Sequence, residues 1–207
     1  MPYFISIFSS SPRLCPFFEP IQEDESRGHP KLASGCIWGL DGGYRLTDST
    51  EISIQSVYRR ARLTSSHKVL PSIFHVSSEI CVAKSVRADI ESLEPGVHQF
   101  FPVTLFGRKG EIFQGEYFLL NICQITNSIV FEKSNLTRVE LPNGAVSTTS
   151  PARSDDFRTV RADAVKGMHL WRELIYQPDM YISEELFDVF REKRYKGIDD
   201  HNYIVCS

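Results

Sequence analysis

Apolar and polar positions alternate, or form short apolar runs, in several segments of the chain, and such segments are typical of β-strands. They cover residues 3–8, 36–40, 52–58, 70–76, 99–106 and 117–123. The last two segments flank the turn Gly107-Arg108-Lys109-Gly110, so together they predict a β-hairpin. Both strands of this hairpin carry apolar residues on both faces. We therefore expect the hairpin to lie in the centre of a sheet.

A first helix is predicted over residues 78–93, because apolar residues recur there at the spacing of a helical face. That face carries Ile80, Ala83, Val86, Ile90 and Leu93. Pro95-Gly96 follows and predicts the end of the helix. The serines at positions 77 and 78 mark the change from the preceding strand to this helix.

A second helix is predicted over residues 183–193. Ser183 is suited to cap its first turn, and Glu184 and Glu185 place negative charge at the positive end of the helix dipole. Its apolar stripe is Leu186, Val189 and Phe190. Gly197 is predicted to stop the helix. With the strands, these helices predict an α+β fold, a mixed and mainly antiparallel sheet with two principal helices packed on it.

Composition limits the classes of function. The chain has 207 residues, 42% of them hydrophobic and 24% charged, with a net charge of -3. This balance argues against nucleic-acid binding through a basic surface, and no apolar run is long enough to span a membrane. The start of the chain has no signal-peptide pattern, and five scattered cysteines suit reduced thiols. We expect one cytoplasmic domain with a loop-rich N-terminal lobe at about residues 1–70.

Motifs for catalysis are absent from the sequence: it has no phosphate-binding glycine loop, no His-Glu-x-x-His and no Gly-x-Ser-x-Gly. Asp199-Asp200-His201 is the one cluster that resembles a metal or acid/base site, and its alternative interpretation is a solvated turn. His75 and His169 fall in predicted strands. Cys81 lies near the predicted helix start, where a thiolate could be stabilised or the side chain could fill the core. We expect no cofactor and no metal.

The C-terminal quarter carries an ordered set of elements. It consists of the strand residues Leu170-Trp171-Arg172, the strand Met180-Tyr181-Ile182, the Ser183-capped helix and the exit Tyr195-Lys196-Gly197. Upstream, Glu94-Pro95-Gly96, Gln99-Phe100-Phe101-Pro102 and Ile129-Val130-Phe131-Glu132-Lys133-Ser134 continue the pattern. In order and spacing these elements resemble immunity family eleven of bacterial polymorphic toxin systems, a family first catalogued as a domain of unknown function. The resemblance covers about residues 71–205 and leaves the N-terminal third without a counterpart.

The resemblance implies a protein that neutralises a cognate bacterial toxin by direct binding, with no chemistry of its own. Alternatives are a small hydrolase that uses Asp199-Asp200-His201, or an adaptor protein of a secretion system. Trp171 and Phe187 are predicted to be core residues. Members of the family carry an aspartate before the Ile129-Val130 pair, whereas this chain has Asn127-Ser128. A charge-dependent role of that position is therefore not expected here.

A candidate toxin-binding segment lies in residues 9–43, which are dense in proline, glycine, serine and acids and predict a long loop region. The acidic residues of this segment are Glu19, Glu23, Asp24 and Glu25. Immunity proteins that block enzymes often present acidic side chains to a basic active site, since complementary charge speeds association. The alternative is a flexible solvated loop. The arginines at positions 59, 60 and 62 follow a predicted strand and form the next candidate surface.

Overall fold

The computed structural model describes residues 3–5, 12–21, 45–46, 60–76, 79–140, 146–149, 157–174, 180–198 and 204–206. The strands in these ranges are β1 (Tyr3–Ile5), β2 (Phe18–Pro20), β3 (Arg60–Leu63), β4 (Ile73–Val76), β5 (Glu79–Ala83), β6 (Gln99–Phe106), β7 (Tyr117–Asn121), β8 (Ile125–Thr126), β9 (Thr137–Glu140), β10 (Val146–Thr149), β11 (Arg158–Val160), β12 (Leu170–Glu173), β13 (Met180–Ile182) and β14 (Ile204–Cys206). The helices are α1 (Lys84–Leu93) and α2 (Glu184–Glu192).

Six strands form the main sheet in the order β2-β3-β6-β7-β5-β4. All neighbours are antiparallel except β3 and β6, which are parallel. The predicted hairpin is confirmed as β6 and β7, and it occupies the two central positions of the sheet. The apolar character of both faces of these strands follows from this position, because the central part of the sheet is buried on each side.

The first predicted helix begins later than expected. Residues 79–83 form strand β5, and α1 starts only at Lys84. The sequence of β5 is rich in β-branched residues, and β5 pairs with β4 on one side and β7 on the other. The prediction of helix from residue 78 is therefore wrong, because strand pairing outweighs a helical spacing. The predicted end is confirmed: α1 stops at Leu93, and Gly96 has a φ of +70°.

The second predicted helix is confirmed as α2, and the Ser183 hydroxyl accepts a hydrogen bond from the Leu186 amide at 3.1 Å. The helix ends at Glu192, one residue before the predicted end at residue 193, and Arg194 takes a φ of +54° ahead of the predicted glycine stop. Asp89 of α1 joins the two helices: it accepts hydrogen bonds from Lys193 Nζ at 2.5 Å and from Tyr195 Oη at 2.8 Å. The Lys193 pKa is raised by this hydrogen bond.

A second, four-stranded sheet has the order β1-β13-β12-β8, with β8 parallel to β12 and the other neighbours antiparallel. Two strand pairs complete the described part: β9 with β10, antiparallel, and β11 with β14, parallel. Antiparallel pairs are in the majority, and two helices accompany mixed sheets. The predicted α+β class is therefore confirmed.

Three clusters of buried side chains hold these layers together. The first lies between the main sheet, both helices and the second sheet, and includes Ile80, Val86, Leu120, Leu170 and Phe190. The second lies on the other face of the main sheet and includes Phe18, Leu63, Phe74, Cys81, Phe101, Leu105 and Leu119. The third lies on the far face of the second sheet and includes Ile129, Val160, Trp171 and Tyr181. Trp171 and Phe187 are both buried, as predicted.

The N-terminal third differs from the predicted loop. Residues 18–20 form strand β2, so this part of the segment at residues 9–43 is paired backbone rather than loop. Burial of Phe18 in the second cluster explains the difference, since the strand supplies one anchor to the core. The predicted strand at residues 3–8 is confirmed over Tyr3–Ile5. The strands predicted at residues 36–40 and 52–58 lie outside the described residues.

Candidate functional site

Strands β2, β3 and β6 expose one face of the main sheet. In β3, Ala61 and Leu63 are buried in the second cluster, whereas Arg62 between them is exposed. Strand β6 alternates in the same way, and its Pro102 and Thr104 are exposed. Successive side chains of a strand point to opposite faces, so the exposed residues share one side. We call this side the open face. Besides Pro102, its residues are Phe17, Glu19, Arg60, Arg62, Thr104, Phe106 and Ile112.

The open face is ordered by strand register. Glu19 lies opposite Arg62, and Arg62 lies opposite Phe106. Phe106 in turn forms a bridge with Ile112, beyond the end of β6. Directly opposite residues have side chains on the same face and are close enough to interact. The four residues therefore form one row across the sheet, with an acid and an arginine at one end and two apolar side chains at the other.

The charged side chains of the open face have two kinds of surroundings. The guanidinium of Arg60 lies over the Phe106 ring, 4.7 Å from its centroid, which is a cation–π contact. Among the described residues, the side chains of Glu19 and Arg62 form neither an ion pair nor a hydrogen bond. Both side chains are exposed. Two neighbouring charges of opposite sign are therefore available to groups that approach this face.

Two apolar side chains of the open face are largely exposed to solvent. The side chain of Phe17 is 68% exposed and that of Ile112 is 57% exposed. The backbone of Phe17 is fixed, because its carbonyl accepts the Thr64 amide at 2.8 Å and its amide donates to Ser65 Oγ at 3.1 Å. Helix α1 marks the border of this surface, since Arg87 covers the Phe100 ring at 5.3 Å. Exposed apolar side chains rimmed by polar ones make this face a candidate interaction site.

The predicted site residues are distributed as follows. Glu19 lies on β2, exposed and opposite Arg62. The structure therefore places one member of the acidic set next to one member of the arginine set in the strand register. Glu23, Asp24 and Glu25 lie outside the described residues, as does Arg59. Arg60 and Arg62 are within strand β3. Sequence reasoning missed Phe17, Phe106 and Ile112. The alternation in Arg60-Ala61-Arg62-Leu63 was the available signal for an exposed strand face.

The other candidate residues from the sequence, Cys81 and the Asp199-Asp200-His201 cluster, are either buried in the core or outside the described residues. Asp199, Asp200 and His201 lie outside the described residues. Cys81 is fully buried in the middle of β5, and burial raises the pKa of its thiol, so of its two interpretations the core-filling one holds. No cluster of three or more metal-ligating side chains occurs among the described residues. Likewise, no helix in the described ranges is long and apolar enough to cross a membrane.

Glu94, at the end of α1, is the centre of a buried hydrogen-bond network. Its carboxylate accepts from His98 Nε2 at 2.8 Å, from Gln124 Nε2 at 2.6 Å and from the His169 amide at 2.7 Å. Burial alone would raise the Glu94 pKa, but these donors outweigh burial and hold the pKa below its usual value. The network joins α1 and the main sheet to the start of the second sheet. His169 lies just before β12 and not inside a strand as predicted.

A second buried carboxylate lies beside the third cluster. Glu173 accepts hydrogen bonds from the Ser128 amide at 2.9 Å, from the Ser128 hydroxyl, and from Trp171 Nε1 at 3.2 Å. Burial raises the Glu173 pKa even though these donors act against it. Ser128 stands just before Ile129, at the position where the resemblance described above implies an aspartate. The Ser128 hydroxyl donates to the Glu173 carboxylate, whereas an aspartate at this position would repel that carboxylate.

These features describe an α+β protein with an exposed sheet face of mixed charge and, elsewhere in the fold, two buried carboxylates that link its elements. The chain belongs to the immunity protein family Imm11, whose model matches residues 23–201. The match confirms the resemblance and extends it toward the N-terminus, so the expectation of an unmatched N-terminal third is wrong from residue 23 onward. Comparison with curated proteins gave no match.

Proposed function

We propose that this protein neutralises a cognate bacterial toxin by binding it directly in the cytoplasm of the producing cell, without chemistry of its own. The observation that carries the proposal is membership of the Imm11 family across residues 23–201. In a polymorphic toxin system the producer must be protected from its own toxin, and a tight stoichiometric complex achieves this. Such a role belongs to interbacterial competition and requires a protein surface rather than a catalytic centre.

The toxin-binding residues of this proposal are Glu19, Glu23, Asp24 and Glu25. Glu19 is exposed on β2, and the other three acids follow within six residues of it along the chain. Clustered carboxylates attract a basic surface, and many enzymes that act on phosphate-containing substrates have basic active sites. Complementary charge raises the rate of encounter and fixes the relative orientation of the two proteins.

Co-expression tests the proposal. The toxin is taken as the product of the toxin-domain gene next to this gene, and it is expressed in sensitive cells with and without the immunity protein. We expect growth to be rescued and a stable complex to be purified through a tag on either partner. Rescue by a variant that no longer binds the toxin would contradict direct blocking. A gene neighbourhood made only of metabolic genes would favour an enzyme instead.

A further inference from the structure

The open face is the best-defined surface for contact in the described part of the chain. We infer that it is the surface that binds the toxin, with Phe17 and Ile112 as apolar anchors and Arg62 as the central charged contact. This inference rests on the proposed function and deepens it by naming the surface. It adds residues of β3 and β6, and of the turn after β6, to Glu19 of the proposed toxin-binding set.

The shape of the open face favours a protein partner. The open face is an exposed sheet surface, whereas small molecules bind in concave pockets that enclose most of their surface. Protein interfaces instead combine aromatic and arginine side chains at their centre with a polar rim. The open face has this composition: Arg60 stacks on Phe106, and Phe17 and Ile112 are exposed on the same face. The mixed charge does not suit a phosphate backbone, which selects clustered cations.

Charge defines what the partner must present. Arg62 and Glu19 are neighbours in the register, and neither side chain has an ion-pair partner in the described ranges. A toxin surface that fits would place a carboxylate near Arg62 and a lysine or arginine near Glu19, with an apolar patch over Ile112. Opposite charges in a fixed order select one partner over its relatives, because a reversed order would bring like charges together.

The anchors are held in place before binding. Phe17 is fixed by backbone hydrogen bonds to Thr64 and Ser65, and Arg62 lies between Ala61 and Leu63, which are both buried. A surface that is already ordered loses less conformational entropy on association than a loop does. Glu19 belongs both to the open face and to the acidic set, so the two proposed surfaces share this residue.

Single variants test the inference in the full-length protein, with binding to the purified toxin measured by surface plasmon resonance. Phe17→Asp, Ile112→Asp and Arg62→Glu should each weaken the affinity at least about tenfold, as expected for central interface residues. Phe157→Asp and Leu174→Asp are the matched controls, because both side chains are 48% exposed and lie away from the open face. We expect the controls to bind like the wild type, within about twofold.

A double reversal separates folding from binding. Arg62→Glu alone places two acids opposite each other, which is destabilising in a sheet. Glu19→Arg combined with Arg62→Glu restores opposite charges across the strands but reverses their order toward the partner. We expect this double variant to keep the thermal midpoint of the wild type and to lose toxin binding at least about tenfold.

The outcomes are distinct. Wild-type protein that fails to bind the toxin would overturn the proposed function, and this inference with it. Wild-type binding that persists unchanged in the folded double variant and in Phe17→Asp would overturn the inference alone. A wild-type dimer that Phe17→Asp converts to a monomer, with toxin affinity unchanged, would likewise overturn it. The open face would then bind a second copy of the chain.

Discussion

Gly197 lies directly against the backbone carbonyl oxygen of Ile73, at a point where a side chain would overlap that oxygen. The contact fixes the exit of α2 against the first residue of β4, because the Ile73 amide donates to the Lys196 carbonyl at 3.0 Å. Gly197 also has a φ of +98°, which residues with a side chain rarely adopt. The glycine predicted to stop the helix is therefore required by a tertiary contact five residues beyond the helix end.

Gly197→Ala should destabilise the protein by more than about 2 kcal/mol, because steric overlap adds to the ~1–2 kcal/mol of the left-handed conformation itself. The free energy of unfolding is measured by urea denaturation. Gly96→Ala is the control, since Gly96 has a φ of +70° but nothing within 4 Å of an added Cβ. It should lose only the conformational contribution. Equal losses in the two variants would contradict the contact with Ile73.

Trp171 and Phe187 should each be essential to stability. Trp171 is 1% exposed and Phe187 is 4% exposed, in the third and first clusters respectively. We expect Trp171→Ala and Phe187→Ala to lose roughly 3–5 kcal/mol each, out of a total that is typically about 5–15 kcal/mol. Phe157→Ala, at an exposed position, should change stability by less than about 0.5 kcal/mol. A thermal midpoint that barely moves in Trp171→Ala would show that its ring is not packed.

His75 should make the free energy of unfolding depend on pH in the mildly acidic range. Burial, and then the charge of Arg172, lower the His75 pKa from 6.5 to about 4. Between these values the unfolded chain binds a proton that the folded protein does not, so stability falls as the pH is lowered from 6.5 to about 4. His75→Gln should flatten this part of the stability profile, followed by urea denaturation at a series of pH values. Identical slopes in the two proteins would contradict the prediction.

Glu94 should make the free energy of unfolding depend on pH in a more acidic range than His75 does. Its pKa is held below 4.5, so its contribution is present above that pH and is lost as the pH falls through the lower folded value. Glu94→Gln should cost about 1–3 kcal/mol at pH 7, because hydrogen bonds to the charged carboxylate are lost. The difference from wild type should shrink below pH 4.5. Glu91→Gln, on the same helix, is the control. A difference between wild type and Glu94→Gln that stays constant with pH would contradict the prediction.

Local signals in the sequence were sufficient for the elements that local interactions stabilise. Ser183 caps α2 through a contact three residues away, and Pro95-Gly96 ends the predicted first helix close to its last residue. The central hairpin follows from the alternation within its own strands and one turn. These predictions succeeded because the interacting residues are near each other in the sequence.

Elements that depend on distant partners could not be predicted in this way. Residues 79–83 have a helical apolar spacing, but their pairing with β7, more than thirty residues away, makes them a strand. The open face forms only because β2, β3 and β6 pair with one another, although they begin at residues 18, 60 and 99 of the chain. Nothing in the sequence near Glu19 indicates that Arg62 will lie opposite it. The buried network around Glu94 has the same origin, since His169 lies 75 residues away.

The acidic segment should control the rate of toxin binding. Reversing Glu23, Asp24 and Glu25 to lysine should leave folding intact, slow association and weaken affinity at least about tenfold, roughly 1.4 kcal/mol. The association rate of the wild type should fall as salt is raised, because steering by exposed charges is screened within about 10 Å at 0.1 M ionic strength. Stopped-flow measurement at several salt concentrations gives both quantities.

The control for this prediction reverses three exposed acids elsewhere, Glu132, Asp163 and Glu192, to lysine. Both triple variants change the net charge by the same amount, so a difference between them reports position and not total charge. An equal loss of rate in both would show that only the overall charge matters. An unchanged rate and affinity in the folded Glu23-Asp24-Glu25 variant would remove this segment from the interface. The arginines of β3 would then carry the electrostatic part of binding, and the salt dependence should disappear in Arg62→Ala instead.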